Sequence, residues 1–389
     1  MYKRQILINN VKDKSANSDD VKPVIICTDE NYDRNLVNIT VRGSNSGEIS
    51  LEKLGIESRS VANGEEFSLI FPKEEAMDDV YTLTAKMEDK AGNETEDSIQ
   101  FSVNRYGSVY TLGTETGEWL SSGECSYIKE GKPVVIIETN VDKVVECNIA
   151  YMAGTISAEK VEVKELADCS DEEKSKGAYY EAKEMSTGNG WYQYQYTVSD
   201  KNFTKEGKYS IQIDSVDDAG NHTSNVTSRH SENELEILFA VDQTAPSAVV
   251  TGAENGASYS ESSHTVFLDV QDNLALNTVS VYLNGEEYAA YDAEEISELE
   301  NGLIPVVVEE SVSTQTIQVK AEDVAGNVLG RDVDGKYDAE FEDFELLVNH
   351  SMLVRMMYSY WIFIILALVA AGAIIAIAIV KHKNKEIQG

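Results

Sequence analysis

Three stretches of this chain end in the same way, and no other feature of the sequence constrains the fold as strongly. YTLTAKMEDKAGN at 81–93, YSIQIDSVDDAGN at 209–221 and QTIQVKAEDVAGN at 315–327 align without a gap. In each, alternate positions are apolar or small: Tyr81, Leu83, Ala85 and Met87; Tyr209, Ile211, Ile213 and Ser215; Ile317, Val319 and Ala321. That period of two is the signature of a β-strand with one buried face. Every copy then runs into Asp-x-Ala-Gly-Asn. The pentapeptide is turn chemistry, because Gly92, Gly220 and Gly326 tolerate positive φ while Asp and Asn side chains bond nearby backbone amides. A partner strand is expected after each turn, over 98–103, 235–241 and 344–348.

Matching signals lie upstream of each ending. Asn63-Gly64, Asn189-Gly190 and Asn301-Gly302 precede apolar strands over 67–71, 192–198 and 303–308, and each repeat opens with an extended run of its own. In the third copy Val279, Val281 and Leu283 alternate into Asn284-Gly285, a strong hairpin signal. Many short strands punctuated by turns imply an all-β fold of three tandem immunoglobulin-like β-sandwich domains, here over 22–104, 105–241 and 242–349. Helical periodicity before residue 350 is confined to a Glu/Lys-rich insertion at 157–187, expected to be an exposed, charged insertion in the second domain. Residues 1–21 are expected to lie outside the fold. Their apolar stretch is only Ile6 to Ile8, far too short for the core of an export signal, so the chain is expected to continue upstream.

After a juxtamembrane stretch at 350–359 comes WIFIILALVAAGAIIAIAIV, at 361–380, with no polar side chain. As a helix, twenty such residues reach about 30 Å, enough to cross a hydrocarbon core, and a soluble helix of that length would show a polar face. A single transmembrane α-helix is therefore expected over 360–380. Tyr358, Tyr360 and Trp361 flank it as interfacial aromatics on one side, and Lys381, Lys383 and Lys385 follow on the other, in a basic tail at 381–389. The lysines place the C-terminus in the cytoplasm and the repeats outside the cell.

The Asp-x-Ala-Gly-Asn hairpins, together with the linker Val241-Asp242-Gln243-Thr244-Ala245-Pro246, resemble the bacterial Ig-like repeats of long surface proteins from Gram-positive bacteria. The resemblance covers most of residues 22–349 and implies a repeat stalk with adhesion or partner binding as its purpose. Tyr81 and Tyr209 fall where Ig folds have their tyrosine corner; Gln315 replaces the tyrosine in the third copy, so the corner is expected to be lost there. Where antibody domains place a cysteine two residues later, this chain has Leu83 and Ile211, which implies apolar cores without an inter-sheet disulfide.

The composition narrows the function from the other side. With 68 acidic and 32 basic residues, the formal charge of -36 opposes nucleic-acid binding, which needs clustered Lys and Arg. The same acidity suits a solvated surface or one that gathers divalent cations. Four cysteines, Cys27, Cys125, Cys147 and Cys169, are too few for a disulfide framework; a Cys125–Cys147 bridge is the one pairing to consider. There is no HExxH, GxSxG, P-loop or dinucleotide fingerprint, so no catalytic residue and no cofactor is expected. Two candidate sites remain. Asp89 with Asn93, Asp217 with Asn221, and Asp323 with Asn327 offer oxygens to calcium, although a tight turn uses the same residues for its own backbone. Trp191, Tyr192, Tyr194 and Tyr196 are the densest aromatic run, either a core strand or a strip that grips a glycan or peptide. Three functions follow: a non-enzymatic stalk that displays an upstream region or binds an extracellular protein or glycan, a tether for an upstream exoenzyme or carbohydrate-binding module, and a calcium-rigidified adhesin.

Overall fold

The computed structural model describes residues 4–154, 158–227, 234–330 and 337–386. The chain divides into two compact units, 1–241 and 242–389. The first unit holds two separate apolar cores and the second holds one.

The first sandwich contains β1 (Gln5–Asn9), β2 (Val24–Thr28), β3 (Val37–Gly43), β4 (Gly47–Ile49), β5 (Gly55–Val61), β6 (Gly64–Ile70), β7 (Asp79–Glu88) and β8 (Glu94–Val103). One sheet runs β1-β2-β6-β5 and the other β4-β3-β7-β8, with neighbouring strands antiparallel throughout. β7 alternates strictly between buried and half-exposed residues, as its sequence pattern requires. Phe71, Tyr81 and Phe101 meet at the centre, with Phe71 edge-on to both partners. The N-terminal segment, expected to lie outside the fold, supplies β1, and Ile6, Val11 and Val21 are buried in this core. Pairing with β2 gives so short an apolar stretch a place in the sheet.

In the second sandwich the strands are β9 (Val109–Leu112), β10 (Ser126–Ile128), β11 (Val134–Asn140), β12 (Val144–Gly154), β13 (Glu159–Val163), β14 (Tyr180–Ser186), β15 (Tyr192–Val198), β16 (Gly207–Asp217), β17 (His222–Ser224) and β18 (Ile237–Val241). They form the sheets β14-β15-β11-β9 and β10-β18-β16-β12-β13, with β17 on β16. Two short helices, α1 (Thr114–Gly117) and α2 (Asp171–Lys176), sit in the connections. The insertion contributes strands rather than helix to the second domain. β13 pairs with β12 and β14 with β15, so it extends both sheets, and Val163, Cys169 and Tyr180 are buried; among the described residues its helical content is the six residues of α2 and one 3-10 turn, Leu166–Asp168. Its Glu and Lys residues are the outward positions of edge strands, which is why the segment reads as charged.

The third sandwich has β19 (Ser247–Thr251), β20 (Ala257–Tyr259), β21 (Ser263–Gln271), β22 (Leu276–Leu283), β23 (Glu286–Asp292), β24 (Ile304–Glu309), β25 (Gln315–Asp323), β26 (Val328–Leu329) and β27 (Phe344–Val348), with α3 (Ala293–Glu298) after β23. Its sheets are β19-β21-β24 and β20-β27-β25-β22-β23. Asn284 and Gly285 join β22 to β23 with φ of 57° and 83°, the two positive values that the tight hairpin needs. In all three repeats the strand ahead of the Asp-x-Ala-Gly-Asn turn lies inside its sheet and pairs with the strand expected to return after it.

The expected tyrosine corners are formed. Tyr81 donates its hydroxyl to the Met77 carbonyl at 3.0 Å and Tyr209 to the Lys205 carbonyl at 2.7 Å. The third copy keeps an equivalent tie after all. Gln315 Nε2 donates to the Glu309 carbonyl at 2.8 Å, its amide reaching back to upstream backbone as a phenol would. All four cysteines are free thiols, so Cys125 and Cys147 do not pair. After the third sandwich α4 (Met352–Glu386) begins, with one non-helical residue, Tyr360. Its 20 residues Tyr360–Ile379 are long and apolar enough to cross a membrane.

Candidate functional sites at the sandwich ends

Each Asp-x-Ala-Gly-Asn turn closes on itself. Asp89, Asp217 and Asp323 accept the backbone N–H of the asparagine four residues on through Oδ1, at 2.9, 2.9 and 2.7 Å. Through Oδ2 they accept the Nδ2 of the same Asn93, Asn221 and Asn327, at 2.9, 2.9 and 2.7 Å. Gly92, Gly220 and Gly326 take φ of 83°, 80° and 86°, which an L side chain resists. Both carboxylate oxygens thus serve the turn, and the turn alone gives no reason for an ion. What differs is the company each aspartate keeps.

Two further segments converge on every turn: the one leading into the sandwich's first strand and the one ending the strand that pairs with it, β2, β11 or β21. In the first sandwich these bring Arg4, just ahead of β1, and Asp29, just after β2. The Arg4 guanidinium pairs with Asp89 through Nη2 and lies 3.5 Å from Asp29 through Nε. Asp89 is held down to about 2, first by the Asn93 amide and with the Arg4 charge contributing. In the second sandwich the same places are taken by Asn104, ahead of β9, and Asn140, the last residue of β11. Asn104 Nδ2 donates to Asp217 Oδ2 at 2.9 Å, and Asn140 Nδ2 donates to the same oxygen at 3.1 Å. Asp142 beside them accepts from Ser102 and Asn104 at 2.8 and 3.1 Å, and burial raises its pKa. In the third sandwich the places hold Asp242 and Asp272. With Asp323 they form a group of three carboxylates whose nearest oxygens all lie within 4.8 Å of one another.

Of the aromatic run only Tyr196 is buried, with Tyr194 packed partly buried against the same core. Tyr196 is buried and donates to Glu138 Oε2 at 2.7 Å; Tyr194 stacks on Tyr196 at 6.3 Å between ring centroids. Tyr192 is partly exposed, at the start of β15. Trp191 spans two sandwiches of the first unit, its Nε1 donating to Asp79 Oδ1 at 2.8 Å. Asp79 also accepts from Ser44 and from the Asn45 and Ser46 amides, and these donors hold its carboxyl below the usual range despite burial. Trp191, Asp79 and Thr139 line a cleft of about 470 Å³. Glu138 is wholly buried under the Ser108 and Tyr196 hydroxyls, and desolvation raises its pKa. The aromatics expected at the membrane interface fall around the break in α4: Tyr358 just before it, Tyr360 at it and Trp361 just after, the last two exposed. Lys381, Lys383 and Lys385 continue the α4 backbone, and their side chains lie outside the described residues.

Sequence reasoning finds the turn aspartates but misses Asp242 and Asp272. Asp242 enters it only as part of a linker motif, and Asp272 carries no local signal at all.

No family model and no curated protein matches the chain. Among solved structures it is similar to a tetra-tandem repeat in the extending region of a large adhesion protein, with 16% identity over 85% of this chain and 70% of that one, at a TM-score of 0.29. A Ca2+-stabilized adhesin with which an Antarctic bacterium binds ice matches at 15% identity over 89% and 74%, TM-score 0.23. Fibronectin(III)-like modules of Clostridium thermocellum CbhA match at 12% over 62% and 94%, TM-score 0.23.

Proposed function

We propose that this chain is a non-enzymatic stalk at a cell surface, anchored by α4, whose sandwiches stand between the membrane and an extracellular protein or glycan. The observation that carries this reading is the serial arrangement along the chain of three separately cored sandwiches ahead of one fully exposed apolar helix. A module with a private core adds length without needing its neighbours to fold, which is what a spacer requires. The lysines after the helix favour an orientation with the sandwiches outside.

The reading is tested in intact cells carrying the chain with an epitope tag after residue 389. Added protease should remove the sandwiches, leave the tagged tail protected, and leave the helix fragment resistant to carbonate extraction. A protected ectodomain with a cleaved tail overturns the orientation, and release by carbonate overturns the anchor.

A further inference from the structure

The joint between the third sandwich and α4 is short and fully engaged. Three residues, Asn349, His350 and Ser351, separate β27 from α4. Asn349 is buried; it gives its N–H to the Tyr259 carbonyl at 3.0 Å and its Nδ2 to the Ser311 carbonyl at 2.8 Å. Its Oδ1 accepts the Ser351 N–H at 2.7 Å, and the His350 N–H goes to Glu310 Oε1 at 2.9 Å. Every backbone N–H of the joint thus has a partner, and two of the three tie it directly to the sandwich. A joint held in this way is no flexible linker.

The first turns of α4 then show two opposed sides. At about 100° per residue, Val354, Arg355 and Tyr358 project one way and Met352, Leu353 and Met356 the other. The first three are half-buried, and Val354 and Tyr358 line a hollow of about 290 Å³ with Val312, Thr314 and Leu347 of the sandwich. Met357 lies between the two sides and lines the same hollow. The other side is bare: Met352 is 70% exposed, Leu353 67% and Met356 47%. It continues through the exposed Tyr360 into the apolar span Tyr360–Ile379. Large apolar side chains grouped on one exposed surface mark a partner, and here the surface leads straight into a membrane span.

We propose that Met352, Leu353 and Met356 sit in the boundary between headgroups and acyl chains of the bilayer that holds the span, and so seat the third sandwich on the lipid surface. The proposal rests on the reading of α4 as the anchor. Depth decides the geometry. In a straight helix Met352 would stand about 12 Å above Tyr360, beyond a headgroup layer about 5–8 Å deep on each side. Tyr360 has φ of -126° and ψ of 17°, outside helical values, and a break at this residue lets the preceding turns tilt until their apolar side meets the boundary. One side of these turns then holds the sandwich and the opposite side holds lipid, so the sandwich is fixed at the membrane instead of swinging from it.

The test uses the full chain in phosphatidylcholine nanodiscs, with Leu353, Met356, Ile365 and Val324 replaced singly by the photocrosslinking residue p-benzoylphenylalanine. Ile365 lies within the span and reports the anchor. Val324 is an exposed control at the far end of the sandwich, since β25 begins beside the end of β27 and Val324 follows its other end. All four sites are exposed, so each variant should melt with the parent; Met352 replaces any site whose variant does not. On irradiation, positions 353 and 356 should form lipid adducts, read by mass spectrometry, about tenfold or more above position 324. Adducts at 365 without adducts at 353 and 356 overturn the seating and leave the anchor standing. No adduct at 365 overturns the anchor, and the seating with it. Chain-to-chain crosslinks at 353 or 356 in place of lipid adducts assign this side of α4 to a second copy and also overturn the proposal.

Discussion

Replacing Phe239 with alanine tests whether the sandwiches have private cores, the property on which the stalk reading depends. Phe239 is wholly buried on β18, with ring centroids 5.0 Å from Phe203, 5.2 Å from Tyr209 and 5.6 Å from Trp119. The first and last of these contacts are edge-on and the second is stacked; Phe203 and Tyr209 flank the start of β16, and Trp119 comes from the connection after α1. Loss of a buried phenyl ring costs about 3–5 kcal/mol in transfer and cavity terms. Aromatic pairs are each worth about 0.5–1.5 kcal/mol beyond area, so three pairs in one cage favour the upper end. For a domain of intermediate size this corresponds to a fall in Tm of roughly 10–20 °C. Calorimetry of the ectodomain, with hydrogen exchange assigning the transitions, should show that fall in the second sandwich. The third sandwich should keep its midpoint. The first should move slightly, because Trp191, Ser102 and Asn104 share hydrogen bonds across the two sandwiches of its unit. A loss below about 1 kcal/mol, or an equal shift in the third sandwich, refutes the idea of separate cores.

Removal of a corner hydrogen bond by Tyr209→Phe should cost about 0.5–1.5 kcal/mol by urea unfolding, and Gln315→Ala should cost at least as much if the glutamine serves as the third corner. Gly64→Ala brings a Cβ to 1.9 Å from the Cys27 carbonyl oxygen, a backbone atom that cannot swing aside; destabilisation of the first sandwich by roughly 1–3 kcal/mol or more is expected, and a neutral result contradicts the β2–β6 packing. Glu138 titrates with a raised pKa because burial penalises its charged form, so the folded chain holds that proton more tightly than the unfolded one. Its contribution is therefore complete below the unfolded value of ~4.3 and is lost as pH rises through the folded value. Glu138→Gln should remove that part of the decline, so the variant gains on the parent as pH rises above the unfolded value, measured as the stability of the second sandwich; parallel pH curves would show that the carboxyl is not desolvated in the fold.

Features written into consecutive residues are legible in the sequence. The alternation over 81–88 appears as the strictly alternating burial of β7, Asn284-Gly285 as the hairpin from β22 to β23, and both tyrosine corners as bonds to the residue four positions back. Features that depend on an edge are not. β1 has a short apolar stretch and β13 and β14 carry charges on their outward positions, because an edge strand needs only one apolar face and gains from charge on the other. Gln315 escapes notice when the corner is identified with a phenol, whereas the backbone carbonyl requires only a donor at the right reach.

The carboxylate cluster lies furthest from what local pattern can reveal. Asp242, Asp272 and Asp323 belong to a linker, a strand end and a turn, and no fixed spacing joins them as it would in an EF-hand loop. Each also has a sufficient local explanation: Asp242 caps the Thr244 amide, Asp272 caps two amides, and Asp323 closes the turn. Three adequate local roles conceal a collective charge that only the fold assembles. The two sibling sandwiches supply the contrast, for they have the same turn and convergence but fill the shared position with Arg4 or with Asn104. A repeat protein therefore carries internal controls: where framework and turn are constant, a change from cation to amide to carboxylate at one position isolates what that position must neutralise.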